Sequence, residues 1–134
     1  MTEPAAATDG PGLVDAWREL LARQAATACA LDRELGERHG LGMSEFEVLE
    51  RLVEATEGDC SASLRVQELA ASVHLSQSAL SRLIARLEKG GLVQRSMCAE
   101  DRRGVSVCLT PVGRDRYTAA RPTHRTVLAS MLAD

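Results

Sequence analysis

Apolar positions along this chain recur in two different periods, and the points where the period changes mark its elements. From Leu13 to His39 the residues Leu13, Trp17, Leu20, Leu21, Ala28, Leu31 and Leu35 fall at helical spacing, with Gly40 where a left-handed cap belongs. That predicts one helix of about 27 residues, about 40 Å long. Ala22, Ala25, Cys29 and Gly36 lie on a second side of it. Such a helix is expected to seat its large residues on its own body and to offer the small side to a partner, or to leave the small side merely exposed.

Ser44-Glu45-Phe46-Glu47 reads as a capping box that opens a second helix carrying Phe46, Leu49, Leu52 and Val53. Residues 55–63 have loop composition. Leu64 and Val66 predict a brief extended segment, followed by a helix ending near Val73. His74-Leu75-Ser76 is then a turn, with Ser76 as the N-cap of the next helix.

Over Gln77 to Lys89 the period places Leu80, Leu83, Ile84 and Leu87 on one side. Ser78, Arg82, Ala85 and Lys89 lie opposite, flanked by Ser81 and Arg86. Gly90-Gly91 ends that helix. The period then drops to two over Leu92 to Cys98 and Val105 to Thr110, which predicts a hairpin with A-E-D-R-R-G at its tip. Thr110 caps the last helix, with Pro111 at its first position, and that helix is expected to run to about Met131 and bend near Pro122.

The length fits one domain. Residues 1–12 read as a disordered arm, and 13–134 as a single unit with its core at about 44–110 and long helices at about 13–39 and 111–132. The fold class is mainly α with a small β-hairpin wing. Aromatics are only Trp17, Phe46 and Tyr117, so aliphatic residues must build the core. No apolar run approaches the roughly 20 residues of a membrane helix, and no cleavable leader is visible, which places the chain in the cytoplasm with no membrane partner.

The cysteines at 29, 60, 98 and 108 have no C-x-x-C spacing, so free thiols are expected and no metal site is indicated. His74 stands in a turn, where strain is a better reading than metal binding. His39 and His124 could join a ligand pocket between the first, second and last helices, or serve as cap and core groups. No nucleophile, base and acid combine in a way that implies an enzyme, and no cofactor is implied.

Charge sharpens the picture. Residues 1–75 hold 6 Arg against 14 Asp or Glu, whereas residues 76–116 hold 8 basic against 4 acidic residues. A basic segment on an acidic body points to a localised polyanion contact. Two helices joined by a short turn, the second with a polar and basic outer face, followed by a hairpin with arginines at its tip, make a winged helix-turn-helix. Ser76, Gln77 and Ser78 stand at a helix N-terminus that favours phosphate. Arg102 and Arg103 can reach a minor groove or the backbone. Asp101 beside them would be repelled by phosphate and is expected to hold a basic residue in place.

The run A-S-V-H-L-S-Q-S-A-L-S-R-L-I-A-R-L-E-K-G-G-L-V-Q-R, followed by E-D-R-R-G and L-T-P-V-G, resembles the MarR (multiple antibiotic resistance regulator) family over about residues 13–132. That resemblance implies a homodimeric transcription regulator on a pseudo-palindromic double-stranded DNA operator, usually a repressor released by a small, often phenolic or aromatic ligand. It makes Ser76, Gln77, Ser78, Ser81 and Arg82 groove or phosphate contacts and Arg103 the minor-groove residue. It pairs Arg86 with Asp101 as a brace between helix and wing. Relatives typically continue past the position of Asp134 into one more helix, so either dimerisation here rests on the first and last helices or a further helix follows the given sequence. One branch of the family senses peroxide through a first-helix cysteine, for which Cys29 is the candidate; the alternative for Cys29 is a buried small hydrophobe. A winged-helix module that binds protein without DNA is the other alternative.

Overall fold

The computed structural model describes residues 10–56, 64–97 and 105–133. Among the described residues, five helices and three short strands follow one another as α1 (Pro11–His39), α2 (Met43–Thr56), β1 (Leu64–Arg65), α3 (Val66–Val73), α4 (Gln77–Lys89), β2 (Val93–Met97), β3 (Val105–Leu109) and α5 (Pro111–Leu132). The strands form one antiparallel sheet in the order β1-β3-β2. No described helix is long and apolar enough to cross a membrane.

Most element ends follow the local chemistry. Gly40 ends α1 at φ 67°, where a side chain is strained; its N–H donates to the Gly36 carbonyl, and the Leu41 N–H to the Leu35 carbonyl. The Ser76 hydroxyl accepts from the Ala79 N–H, and the Thr110 hydroxyl from the Gly113 N–H, so both act as N-caps. Pro122 sits inside α5, which stays continuous from Pro111 to Leu132. Two boundaries differ from expectation. The first helix begins at Pro11, because proline is pre-set for the first helical position. The second begins at Met43 rather than after Ser44, because the capping is done by Glu45 in place of Glu47 and by Asp32 of α1. Glu45 Oε1 accepts from the Gly42 N–H at 2.6 Å, and Asp32 Oδ1, on α1, accepts from the Met43 N–H at 2.7 Å. Glu47 instead pairs with Arg51.

In the hairpin Met97 pairs with Val105, Arg95 with Val107 and Gln94 with Cys108. Val107 and Leu109 face the core.

Phe46, Leu49 and Leu52 of α2 form the middle of that core, together with Leu69 of α3, Leu80, Ile84 and Leu87 of α4, and Tyr117 and Ala120 of α5. The junction from α4 to α5 passes through a tight crossing. The Thr110 hydroxyl lies 2.7 Å from the Gly91 carbonyl and 3.0 Å from that of Leu92. A Cβ on Gly113 would lie 2.0 Å from the Leu92 carbonyl oxygen, so only glycine fits where α5 crosses the chain just beyond α4.

The largest departure is in α1. Leu31 and Leu35 are buried, but Leu13, Val14, Trp17, Leu20 and Leu21 are exposed, Trp17 at 58% and Leu20 at 62%. The large-residue side therefore seats the helix on its own body only in its C-terminal half. Ala22, Ala25, Cys29 and Gly36 are exposed as well, so the N-terminal half of α1 stands clear of the body on both sides.

Candidate nucleic-acid interface

Helix α4 divides its residues sharply by side. Leu80, Leu83, Ile84 and Leu87 are buried to 4% exposure or less, which fixes the helix against α2 and α3. Ser76, Gln77, Ser78, Ser81, Arg82, Arg86 and Lys89 are all exposed. The first five share the N-terminal edge and form one continuous polar strip of donors and acceptors, the side-chain types that hydrogen-bond base edges and phosphates. The turn that aims this strip is strained: His74 has φ 61°, a left-handed conformation that glycine adopts more easily. His74 is exposed and Leu75 packs against the core.

The wing supplies a brace not foreseen in the sequence. Arg95 on β2 donates from Nε to Glu88 Oε1 of α4 at 3.1 Å, tying strand to recognition helix. Arg86 Nε lies 3.6 Å from Glu45 Oε2 on α2. The expected tip contacts of Arg102 and Arg103 and the expected brace partner Asp101 lie outside the described residues, as do Cys60 and Cys98.

Behind α4 lies a buried polar hub. Phe46 stacks between Tyr117, with ring centroids 5.2 Å apart, and His124, at 4.3 Å. The Tyr117 hydroxyl donates to Glu50 Oε2 at 2.8 Å, and Arg125 donates to the same oxygen. Burial pushes the Glu50 carboxyl upward, but the hydrogen bonds from Arg125 and Tyr117 and the positive charge of Arg125 outweigh it, so the group ionises below its ordinary range. Burial, reinforced by Glu50, raises Tyr117. Burial and then the Arg125 charge lower His124. The Arg125 guanidinium lies 2.6 Å from His124 Nδ1, and because a guanidinium can only donate, that nitrogen accepts and the ring proton belongs on Nε2.

A cavity of about 470 Å³ opens beside this hub, lined by Leu31, Met43, Arg51, the turn from Ser72 to Leu75, and His124, Arg125 and Leu128. Arg51, on the cavity wall, is paired with Glu47, its Nε 3.2 Å from Glu47 Oε2. Glu47, Glu50 and His124 place ligand atoms within 4.8 Å of one another, a spacing that could take a cation. Arg51 and Arg125 already neutralise both carboxylates, which removes the electrostatic incentive for a metal.

Of the histidines, His124 joins the cavity, while His39 bonds the Thr123 hydroxyl at 2.8 Å and takes no part in it. Cys29 is exposed, not a buried hydrophobe, and the Tyr117 hydroxyl is committed to Glu50. Sequence reasoning missed the Glu50–Arg125 pair, because residues 75 positions apart leave no local signal.

A strongly sided recognition helix after a tight turn, braced to a β-wing and carried between long helices, defines a winged helix-turn-helix protein. The MarR family model matches residues 41–105. AbsC, a MarR family transcriptional regulator from Streptomyces coelicolor, is 32% identical, with a TM-score of 0.80 over 92% of this chain and 80% of its own. A second MarR family regulator from the same organism, solved in complex with DNA, is 30% identical, with a TM-score of 0.77 over 87% of this chain and 71% of its own. The HTH-type transcriptional regulator YdgJ of Bacillus subtilis is 30% identical over 95 residues, 71% of this chain, and the chain spans 54% of the length of that curated relative. The chain belongs to the MarR family.

Proposed function

We propose that this chain is a cytoplasmic transcription regulator that binds an operator in double-stranded DNA as a homodimer. Ser76, Gln77, Ser78, Ser81 and Arg82 enter the major groove, and Arg102 and Arg103 reach the neighbouring minor groove or backbone. The carrying observation is the division of α4, four apolar residues buried and an unbroken polar N-terminal edge exposed. The relative solved with DNA supports the same use of the fold. Two reading heads related by a two-fold axis require a half-palindrome on each side. The exposed stripe Leu13, Trp17, Leu20 and Leu21 is the surface that a second copy would cover.

The cavity beside Glu50 takes the controlling small molecule. One wall is the turn Ser72 to Leu75, directly before Ser76, and another is α5. An occupant that pushes these walls apart moves the reading edge of α4, which turns ligand binding into loss of DNA binding and makes the protein a repressor relieved by its ligand.

Selection of bound fragments from the host genome, followed by titration of the selected operator against salt, tests this reading. Arg82→Gln or Arg103→Gln should weaken binding and reduce the slope of log K against log salt by about 0.9 each. Operator binding that is indifferent to both substitutions would sink the interface assignment.

A further inference from the structure

Among the exposed residues of α4, Arg86 stands apart from the proposed reading edge in what holds it. It is four residues beyond Arg82 and therefore on the same general face. Its side chain is 70% exposed, so a cation is available there to an approaching phosphate backbone, yet its Nε lies 3.6 Å from Glu45 Oε2. The carboxylate it meets is fixed. Glu45 is only 18% exposed, and its other oxygen accepts from the Gly42 N–H at 2.6 Å at the very start of α2. The adjacent Met43 N–H is taken by Asp32 of α1. Two acids thus occupy the start of α2, and one of them reaches across to the recognition helix.

We propose that Glu45 is a positioning residue for DNA binding, whose anchored carboxylate holds the Arg86 guanidinium back and keeps one recognition-helix cation out of the phosphate contact. This rests on the DNA-binding reading above. A flexible arginine side chain pairs with whichever anion is nearer and better fixed. Glu45 is pre-placed by a backbone hydrogen bond, whereas a phosphate must be brought to it. The consequence is weaker non-specific binding, since that term counts the cations that neutralise phosphates and not the sequence they contact. A regulator that must find one operator among many other sites gains selectivity from one fewer non-specific contact.

The test is salt-dependent binding of the full chain to a mixed-sequence DNA duplex. Glu45→Gln keeps the acceptor for the Gly42 N–H and removes the charge that holds Arg86. It should steepen the slope by about 0.9, so that the affinity gained on going from about 200 to about 50 mM salt grows roughly three- to fourfold over the wild type. Arg86→Gln alone should leave the wild-type slope unchanged, and in the Glu45→Gln background it should restore it. Asp32→Asn loosens the same helix start without touching Arg86, and its slope should match the wild type. An unaltered slope in Glu45→Gln, a steepening that survives Arg86→Gln, an equal steepening in Asp32→Asn, or a shallower slope in Arg86→Gln alone would each overturn the proposal. A wild-type protein that binds no duplex at low salt would defeat the DNA-binding reading itself, and Glu45 with it.

Discussion

The two halves of α1 carry apolar residues at the same helical period, and the chain treats them differently. Its C-terminal half delivers Ala30, Leu31 and Leu35 into a core shared with α2 and α5. Its N-terminal half presents Leu13, Val14, Trp17, Leu20 and Leu21 to solvent. The C-terminal half is held by groups that the chain itself supplies: the buried residues of α2 and α5 that share its core, the contact of His39 with Thr123, and the bond from the Met43 N–H to Asp32. The N-terminal half has no such complement among the described residues. Periodicity therefore identifies a face that gains from being covered, and says nothing about whether the cover lies in the same chain.

The covered region should be the sensitive one. Phe46 is fully buried and touches both rings of the hub. Phe46→Ala removes a large side chain from a packed site and should cost about 3–5 kcal/mol in denaturant unfolding. A loss below about 1 kcal/mol would mean that the hub is not the seat of stability, and the contrast between the two halves would collapse.

Glu50→Gln comes next in size. It leaves Arg125 without its carboxylate, although Arg125 is partly exposed and can turn to water, so a loss of about 1–3 kcal/mol is expected. The same pair sets a pH dependence of known sign. Glu50 ionises below its ordinary range in the folded chain, so its contribution is complete above that range and is lost as pH falls through the lowered value. His124, also lowered, is bound neutral, and its contribution is likewise lost as the pH drops below the ordinary histidine range. Tyr117 is raised, so its share is present below about pH 10 and fades as pH rises beyond it. Melting temperature against pH should therefore fall on the acid side, and the fall in Glu50→Gln should be shallower than in the wild type.

How much of this was visible in the sequence follows from the range of each interaction. Caps and turns are local, so Gly40, Ser76, Gly91 and Thr110 could be read directly, as could the strained His74. The apolar stripe of α4 was legible because a helix fixes which residues share a side. The start of α2 was not, because its caps are Asp32, eleven residues away on another helix, and a glutamate two residues from the expected one. The hairpin register was not legible either, because alternation in the two arms does not by itself say which residues face each other across the tip. Glu50 and Arg125, like the need for glycine at position 113, depend on tertiary crossings that no window along the chain contains.

The exposed half of α1 gives the smallest effect on the chain's own stability and the sharpest test of the contrast. Trp17 and Leu20 lie outside the buried core of the described residues, so Trp17→Ser with Leu20→Ser should alter the melting temperature of dilute protein little, by the equivalent of less than about 0.5 kcal/mol per site. In a dimer the same side chains are buried against a second copy, where each contributes about 1.5–3 kcal/mol. Sedimentation should then show the variant dissociating at concentrations at least tenfold higher than the wild type. The rise of melting temperature with protein concentration that marks coupled assembly should also flatten. Ala25→Glu, on the small-residue side of the same helix, separates the two candidate faces. If it dissociates the protein while the double serine variant does not, the partner covers the alanine side, and the large stripe requires a different occupant. The opposite result places the second copy on Trp17 and explains why residues with a core-like period are left open in a single chain.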